Sequence, residues 1–202
     1  MYLIANGGIS DYPKNTKESV LLSKFDDSID GVLIDVRLTF DNKLVLYEND
    51  LIVNNQYISR MNYEDIKKID FNQGIKNYYI PLLEDILLYY DKDILIIKLH
   101  HNYDQNDKLI NELKKVLNKY YVKRLIIVVD NDNLYDYLKL YTYYDIYNLN
   151  SSDNFINIDI KLKNYNGNLI NNSSMGNFNN LIGDNKDVFV ITNNSKILKN
   201  II

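Results

Sequence analysis

The sequence predicts an α/β protein, most simply a TIM-type (β/α)8 barrel, from three features of its 202 residues. Short runs of Ile, Val and Leu often end in a polar residue, amphipathic segments separate several of them, and about eight such runs occur. Nearly continuous apolar runs are typical of parallel strands buried on both faces. Eight such strands close most economically into a barrel. A doubly wound open sheet is the alternative, but the chain has no Gly-x-Gly-x-x-Gly or Walker-type loop to support it.

Eight segments are predicted to be strands because they are short, apolar and rich in β-branched residues. They are Tyr2–Asn6, Gly31–Arg37, Lys43–Glu48, Asp93–Leu99, Leu125–Asp130, Asp145–Leu149, Phe155–Ile160 and Val188–Thr192. Parallel barrels carry their functional sites at the carboxyl ends of the strands. We therefore expect the polar residues that end these runs to include the functional ones.

Helices are predicted where apolar residues recur every three or four positions. They cover Thr16–Phe25, the segment after the capping residue Asn62, Leu83–Tyr90, Asp107–Tyr120 and Asn133–Leu140. Asn15 and Thr16 are expected to cap the first of these helices. The Asn-rich stretch from Ser151 to Asn180 is predicted to be loop, so elements between residues 150 and 187 are expected to be irregular or shortened. With no interdomain linker evident, residues 1–202 are interpreted as one barrel domain.

Composition excludes several kinds of function. A net charge of -4 and a pI near 5.2 argue against a nucleic-acid partner, because binding to nucleic acid depends on contacts between basic side chains and phosphates. The absence of Cys excludes disulfides, thiolate catalysis and Cys-based zinc sites. No apolar run is long enough to span a bilayer and no secretory signal is visible, so a cytoplasmic protein is expected.

Several motifs, taken in order, resemble one family. The stretch LIANGG followed by YPKNT is similar to Ile-Ala-His-Arg-Gly followed by Pro-Glu-Asn-Thr, which open the glycerophosphodiester phosphodiesterase family. The stretch IDGVLIDVRLTFDNKLVLYEND resembles its next block, which contains Glu-Leu-Asp-Val-Arg-Leu-Thr and ends in His-Asp. Further similar blocks are SRMNYEDIKKID, IPLLEDIL, ILIIKL and VFVITNNSKIL. The resemblance covers nearly the whole chain in order, most closely up to Leu99.

The resemblance implies a TIM-type barrel that cleaves glycerophosphodiesters to glycerol 3-phosphate and an alcohol. In that family two Glu and one Asp hold a divalent cation, and two His act as acid and base. Here the two His positions fall on Asn6 and Glu48, and the two Glu positions fall on Leu33 and Ile96. Only the Asp ligand is retained, as Asp35.

These replacements predict that the family's hydrolysis is lost or strongly altered. Asn6 cannot titrate, and each missing acid or base typically costs about 10²–10⁴ in rate. Mg²⁺ or Ca²⁺ takes several oxygen ligands, which Leu33 and Ile96 cannot supply. No cofactor is therefore expected, and a divalent cation is expected only if activity persists. The partner is expected to be a small-molecule phosphodiester or an unknown ligand. The alternatives are a non-catalytic binding or interaction module on the same barrel and a drifting paralogue without a ligand.

A rebuilt site is also conceivable, because Lys98 matches the family's phosphate-side Lys and both His of the chain follow it. Strand alternation places Ile96, Lys98 and His100 on one side of their strand, and the resemblance implies that this side is the barrel interior. Asp35, Glu48 and His100 can then form a new metal or acid–base cluster. The alternative is that His100 is a loop residue and Glu48 a solvated turn residue.

Structural roles are open for the remaining carboxylates as well. Asp35 is expected to form a buried ion pair with Lys98, which alone would explain its presence. Asp130 and Asp145 also lie at strand termini, and they are interpreted as ordinary turn or cap residues.

Overall fold

A computed structural model describes residues 2–52, 55–70, 77–102, 105–150, 155–158 and 189–192. Seven of its strands run parallel in one sheet. They are β1 (Tyr2–Asn6), β2 (Gly31–Leu38), β6 (Ile94–Leu99), β7 (Arg124–Val129), β8 (Asp145–Asn148), β9 (Phe155–Ile158) and β10 (Phe189–Thr192). An eighth strand, β3 (Leu44–Leu46), pairs antiparallel with β2, and β4 (Leu51–Ile52) pairs with β5 (Gln56–Tyr57).

The strand order is that of a (β/α) barrel. Along the sheet the strands follow β8-β7-β6-β2-β1-β10-β9, with β3 beside β2. The first strand therefore pairs with both the next parallel strand and the last one, so that the order runs around a ring. A doubly wound sheet would reverse its order instead. The predicted fold class is confirmed. Residues 159–188, which contain most of the stretch expected to be irregular, lie outside the described residues.

The predicted strand Lys43–Glu48 is shorter than expected and is not a parallel strand of the barrel. Strand β3 follows β2 through a tight turn in which Asn42 has a φ of 59°. The Thr39 hydroxyl donates to Asp41 at 2.7 Å and accepts from the Lys43 N–H at 2.9 Å. Because a parallel crossover needs a dozen or more residues, this connection permits only an antiparallel pair.

The helices lie between the strands, and several are shorter than their apolar periodicity indicates. They are α1 (Lys17–Leu21), α2 (Tyr63–Ile66), α3 (Leu83–Leu87), α4 (Asn106–Leu117) and α5 (Asp132–Tyr141). The predicted cap at Thr16 is confirmed, because its hydroxyl accepts from the Ser19 N–H and the Ser19 hydroxyl accepts from the Thr16 N–H. A 3₁₀ turn, Leu22–Phe25, follows α1 and completes the segment predicted as one helix.

Side-chain alternation on the strands divides the apolar core into two layers. Between the sheet and the helices lie residues such as Leu95, Ile97 and Leu99 of β6. The barrel interior holds a second, smaller cluster: Ile4, Leu33, Ile94, Ile96, Ile126, Val128, Phe189 and Ile191. All eight are at least 95% buried. The interior layer therefore forms an apolar floor beneath the carboxyl ends of the strands.

The described helices include none that combines the length and the apolar character needed to cross a membrane. The longest of them, α4, has 12 residues, whereas a transmembrane helix needs about 20.

Candidate functional site

Polar side chains occupy the barrel interior directly above the apolar floor. On β2, Asp35 and Arg37 continue the face that begins with Leu33, and on β6 Lys98 continues the face of Ile94 and Ile96. The predicted shared face of Ile96, Lys98 and His100 agrees with this arrangement, since His100 contacts Asp35. We call the carboxyl-end opening formed by Asp35, Arg37, Lys98, His100 and Asp130 the mouth.

Asp35 is the most buried charged residue of the mouth, with 3% of its surface exposed. Its Oδ2 accepts from Asn15 Nδ2 at 2.9 Å, and its backbone N–H donates to Asn15 Oδ1 at 3.0 Å. Its Oδ1 lies 2.8 Å from His100 Nε2. Burial alone would raise the pKa of Asp35, but the hydrogen bonds from His100 and Asn15 and the nearby positive charge outweigh it and lower that pKa. Asp35 is therefore an ionised carboxylate with both oxygens engaged.

His100 uses both ring nitrogens inside the protein. Its Nδ1 lies 3.1 Å from Arg37 Nη2, and its Nε2 faces Asp35. Because a guanidinium can only donate, Nδ1 must accept, and the ring proton must lie on Nε2 and point to Asp35. Both ring nitrogens of His100 are thereby engaged, one with a cation and the other with a carboxylate. Neither nitrogen is left to take a proton from a ligand or to bind a metal ion.

Arg37 extends this network towards the surface. Its Nη1 forms an ion pair with Asp50, and its Nη2 donates to the Glu48 carbonyl at 2.7 Å. Burial lowers the pKa of the Arg37 guanidinium, while the charges of Asp50 and Asp35 oppose that change. Nε of Arg37 has no partner among the described residues. Arg37 and Asn102 both line a cavity of about 20 Å³, which has room for about one water.

Lys98 pairs with Asp130 and not with Asp35. Its Nζ lies 3.0 Å from Asp130 Oδ2, and the two side chains are 24% and 43% exposed. The predicted Lys98–Asp35 pair is wrong, because Asn15 and His100 already occupy both Asp35 oxygens. The interpretation of Asp130 as a simple turn residue is also wrong. Burial would raise its pKa, but the hydrogen bond and charge of Lys98 lower it, so Asp130 is ionised.

Two other predicted site residues lie at the edge of this arrangement. Asn6 ends β1 at the mouth and is half-buried. Glu48 follows β3 with an exposed side chain, and it enters the network only through its backbone carbonyl. Asp145 begins β8 and therefore lies at the opposite, amino-terminal end of that strand.

The donor groups do not fit the divalent cation that the resemblance implies. The two Glu positions are occupied by Leu33 and Ile96, which are 4% and 0% exposed and belong to the apolar floor. No group of three or more His, Asp or Glu side chains suited to holding a metal ion occurs in the described parts of the chain. In particular, Asp35 and His100 bind each other, and the Glu48 side chain does not join them. A hard cation that takes six or more oxygen ligands finds too few here.

Sequence reasoning did not identify Asn15, Arg37 and Asp50 as parts of the site. Asn15 was expected only to help cap α1, yet its φ of 60° turns its side chain back to Asp35. Arg37 carried a detectable signal, because it lies two residues after Asp35 and so shares its face of β2. Asp50 carried none, since only the folded loop after β3 brings it to Arg37.

Solved glycerophosphodiester phosphodiesterases have the same fold as this chain. One is a phosphodiesterase from Oleispira antarctica in complex with the product sn-glycerol-3-phosphate, with a TM-score of 0.70 and 18% identity over 100% of this chain and 96% of that one. Another comes from Parabacteroides distasonis, with a TM-score of 0.69 and 16% identity over 99% of this chain and 95% of that one.

Other matches are partial. A glycerophosphoryl diester phosphodiesterase domain from Mycobacterium tuberculosis matches 72% of this chain with a TM-score of 0.58 and 16% identity, and the match spans only 58% of that chain. No family model and no curated protein matches the sequence. The likeness is therefore one of structure at low identity, and it agrees with the ordered motifs of the sequence. By its strand order and by these neighbours, the chain has the TIM-type barrel fold of the glycerophosphodiester phosphodiesterases.

Proposed function

We propose that this chain is a glycerophosphodiester phosphodiesterase-like protein in which the metal-dependent hydrolysis of that family is lost or strongly altered. The observation that supports this most directly is the apolar floor. Leu33 and Ile96 are buried where the resemblance places two metal-binding carboxylates. Cleavage of a phosphodiester needs neutralisation of the phosphate charge, a nucleophile and a proton for the leaving group, and a bound cation supplies the first of these.

The remaining polar groups do not replace what is missing. Asn6 carries no titratable proton, and Glu48 is exposed at the rim. His100 cannot serve as a base while Arg37 donates to one ring nitrogen and the other donates to Asp35. Since each absent acid or base typically costs about 10²–10⁴ in rate, a barrel lacking both should show no measurable turnover by this route.

The second candidate is a non-catalytic binding or interaction module. It is favoured by the ordered hydrogen-bond network from Asn15 through Asp35, His100 and Arg37 to Asp50, which shapes a mouth without exposing a reactive group. Because the Oleispira antarctica protein was solved with sn-glycerol-3-phosphate, a small phosphodiester is the first ligand class to test. A cytoplasmic location and a role in glycerophospholipid metabolism belong to the same proposal.

The test is a turnover assay of the purified protein with a glycerophosphodiester such as glycerophosphocholine and with Mg²⁺, Mn²⁺ or Ca²⁺. We expect no product and no rise in the melting temperature with any of the three ions. The Oleispira antarctica phosphodiesterase serves as the positive control. Cation-dependent turnover that disappears in Asp35→Asn would overturn the proposal.

A gain-of-function variant makes the test sharper. It combines Asn6→His, Leu33→Glu, Glu48→His and Ile96→Glu and thereby restores the four groups that the resemblance implies. Burying two carboxylates without a cation costs stability, so the variant should be more stable with Mg²⁺ or Ca²⁺ than without. Cation-dependent stabilisation of this variant, without such an effect on the wild type, would support the interpretation that the floor residues decide metal binding.

A further inference from the structure

The two cationic side chains of the mouth are both held by acceptors of the chain itself. Lys98 Nζ binds the Asp130 carboxylate at 3.0 Å. Arg37 uses Nη1 for Asp50 and Nη2 for the Glu48 carbonyl and for His100. A phosphate or carboxylate ligand that enters the mouth therefore finds each cation already paired with an internal acceptor.

The balance of charge also disfavours an anion. The strand ends β2, β6 and β7 and the loop after β3 carry two cations, Arg37 and Lys98, and four carboxylates: Asp35, Glu48, Asp50 and Asp130. Asp35 and Asp130 both have lowered pKa values because of hydrogen bonds and positive charge nearby, so both remain charged at neutral pH. Like-charged groups at a binding site repel an incoming anion and lower its affinity.

Asp130 differs from the other carboxylates in its position. Asp35 is buried and locked by Asn15 and His100, whereas Asp130 directly follows β7 and is 43% exposed. Lys98, which is 24% exposed, lies between the buried network and Asp130. Asp130 thus covers the cation through which an anionic group could bind most directly, since among the described residues Arg37 has three partners and Lys98 has one.

We infer that Asp130 is an internal counter-ion that determines specificity by keeping anionic ligands, phosphate esters included, from binding at Lys98. A phosphodiester, the first ligand class to test, is accordingly expected to bind weakly to the wild-type mouth, whose charge favours a neutral or cationic small molecule instead. This inference deepens the proposed function, in that it takes the mouth as the ligand site of a non-hydrolytic barrel. The selectivity then depends on one residue, Asp130, which lies outside the motifs that resemble the family.

The experiment measures binding of inorganic phosphate and of sn-glycerol-3-phosphate at pH 7 by titration calorimetry. It compares the wild type with Asp130→Asn, which keeps the shape and the hydrogen-bond acceptor but removes the charge. We expect the variant to bind either anion about tenfold more tightly, which corresponds to about 1.4 kcal/mol. The gain should shrink as salt is raised, because Lys98 is partly exposed.

Two further variants control the interpretation. Asp145→Asn changes the net charge equally but at the amino-terminal end of β8, so its affinity should equal that of the wild type. Adding Lys98→Met to Asp130→Asn should abolish the gain. Asp130→Ser provides a second way to remove the charge if the amide destabilises the loop, and all variants are compared by their unfolding temperatures.

The outcomes separate the two ideas. Equal anion binding by wild type and Asp130→Asn, or an equal gain in Asp145→Asn, would refute the role of Asp130 and leave the loss of hydrolysis untouched. Cation-dependent turnover by the wild type would refute the proposed function, and it is measured in a different assay. A gain that appears only without the Asp130 charge and only with Lys98 present supports the inference.

Discussion

The two ends of the barrel interior are closed in different ways. At the amino-terminal end Tyr2 and Phe189 stack with ring centroids 5.4 Å apart, and the Arg124 guanidinium lies 5.2 Å from each ring. At the carboxyl end, charged groups pair through hydrogen bonds around Asp35 and Lys98. Aromatic packing closes one end with little need for buried charge, while the other end holds the buried Asp35 carboxylate, which Asn15 and His100 satisfy. The two ends therefore depend on different interactions, apolar packing at one and charge pairing at the other.

The largest effect on stability is expected from removing an aromatic ring at the amino-terminal end of the barrel. Phe189→Ala should destabilise the protein by about 3–5 kcal/mol, because it leaves a cavity at a fully buried position. Urea unfolding measures this change. Phe25→Ala is the matched control, since Phe25 is 73% exposed and its loss should be nearly neutral. A small effect of Phe189→Ala would mean that this end of the barrel does not depend on tight packing.

A smaller effect, one that depends on pH, is expected at the mouth. Asp35→Asn removes the charge that His100 and Asn15 stabilise, and at neutral pH it should cost about 1.5–3 kcal/mol. The folded-state pKa of Asp35 is lowered, so the wild type has this stability above the ordinary Asp pKa and loses it as pH falls through the folded value. Acid unfolding curves should therefore be steeper for the wild type than for Asp35→Asn. Parallel curves would contradict the network.

The cation at the aromatic end is expected to contribute less. Arg124→Met keeps most of the apolar stem and removes the guanidinium above the Tyr2 and Phe189 rings, which should cost about 0.5–1 kcal/mol. Thermal or urea unfolding of Arg124→Met, compared with Arg124→Lys, measures the part that depends on the planar group. If Arg124→Met leaves the stability unchanged, stacking of the two rings alone closes this end.

The smallest effect is expected at Glu48. Its side chain is exposed and only its carbonyl accepts from Arg37, so Glu48→Gln should change stability by less than about 0.5 kcal/mol. The acid unfolding curve should also be unchanged. A large change would place the carboxylate inside the network and revive the idea of a rebuilt acid–base cluster.

Strand positions were predictable because each strand depends on the residues of its own short segment. The apolar runs gave β1, β2, β6 and β7 to within two residues at each end, since a strand buried on both faces needs continuous Ile, Val and Leu. The length of α1 was not predictable in the same way. Its periodicity extends through Phe25, but the last turn tightens to a 3₁₀ helix whose boundary depends on packing.

Partner choice within the mouth was less predictable. Strand alternation correctly placed Lys98 on the same face as His100, which contacts Asp35, and charge alone favours a pair between Lys98 and Asp35. In the folded protein Asp35 instead forms hydrogen bonds with His100 and Asn15, and Lys98 forms an ion pair with Asp130. These contacts join residues up to 65 positions apart. They form between whichever side chains the fold places within hydrogen-bonding distance of each carboxylate.

The sequence by itself determined the parallel strands and the apolar character of Leu33 and Ile96 within them, because periodicity and residue type are properties of each segment alone. Only the tertiary structure decided that His100 is held on both nitrogens and that Asp130 neutralises Lys98. Those outcomes arise where the ends of separate strands meet, and a charge there takes the partner that best offsets its loss of water.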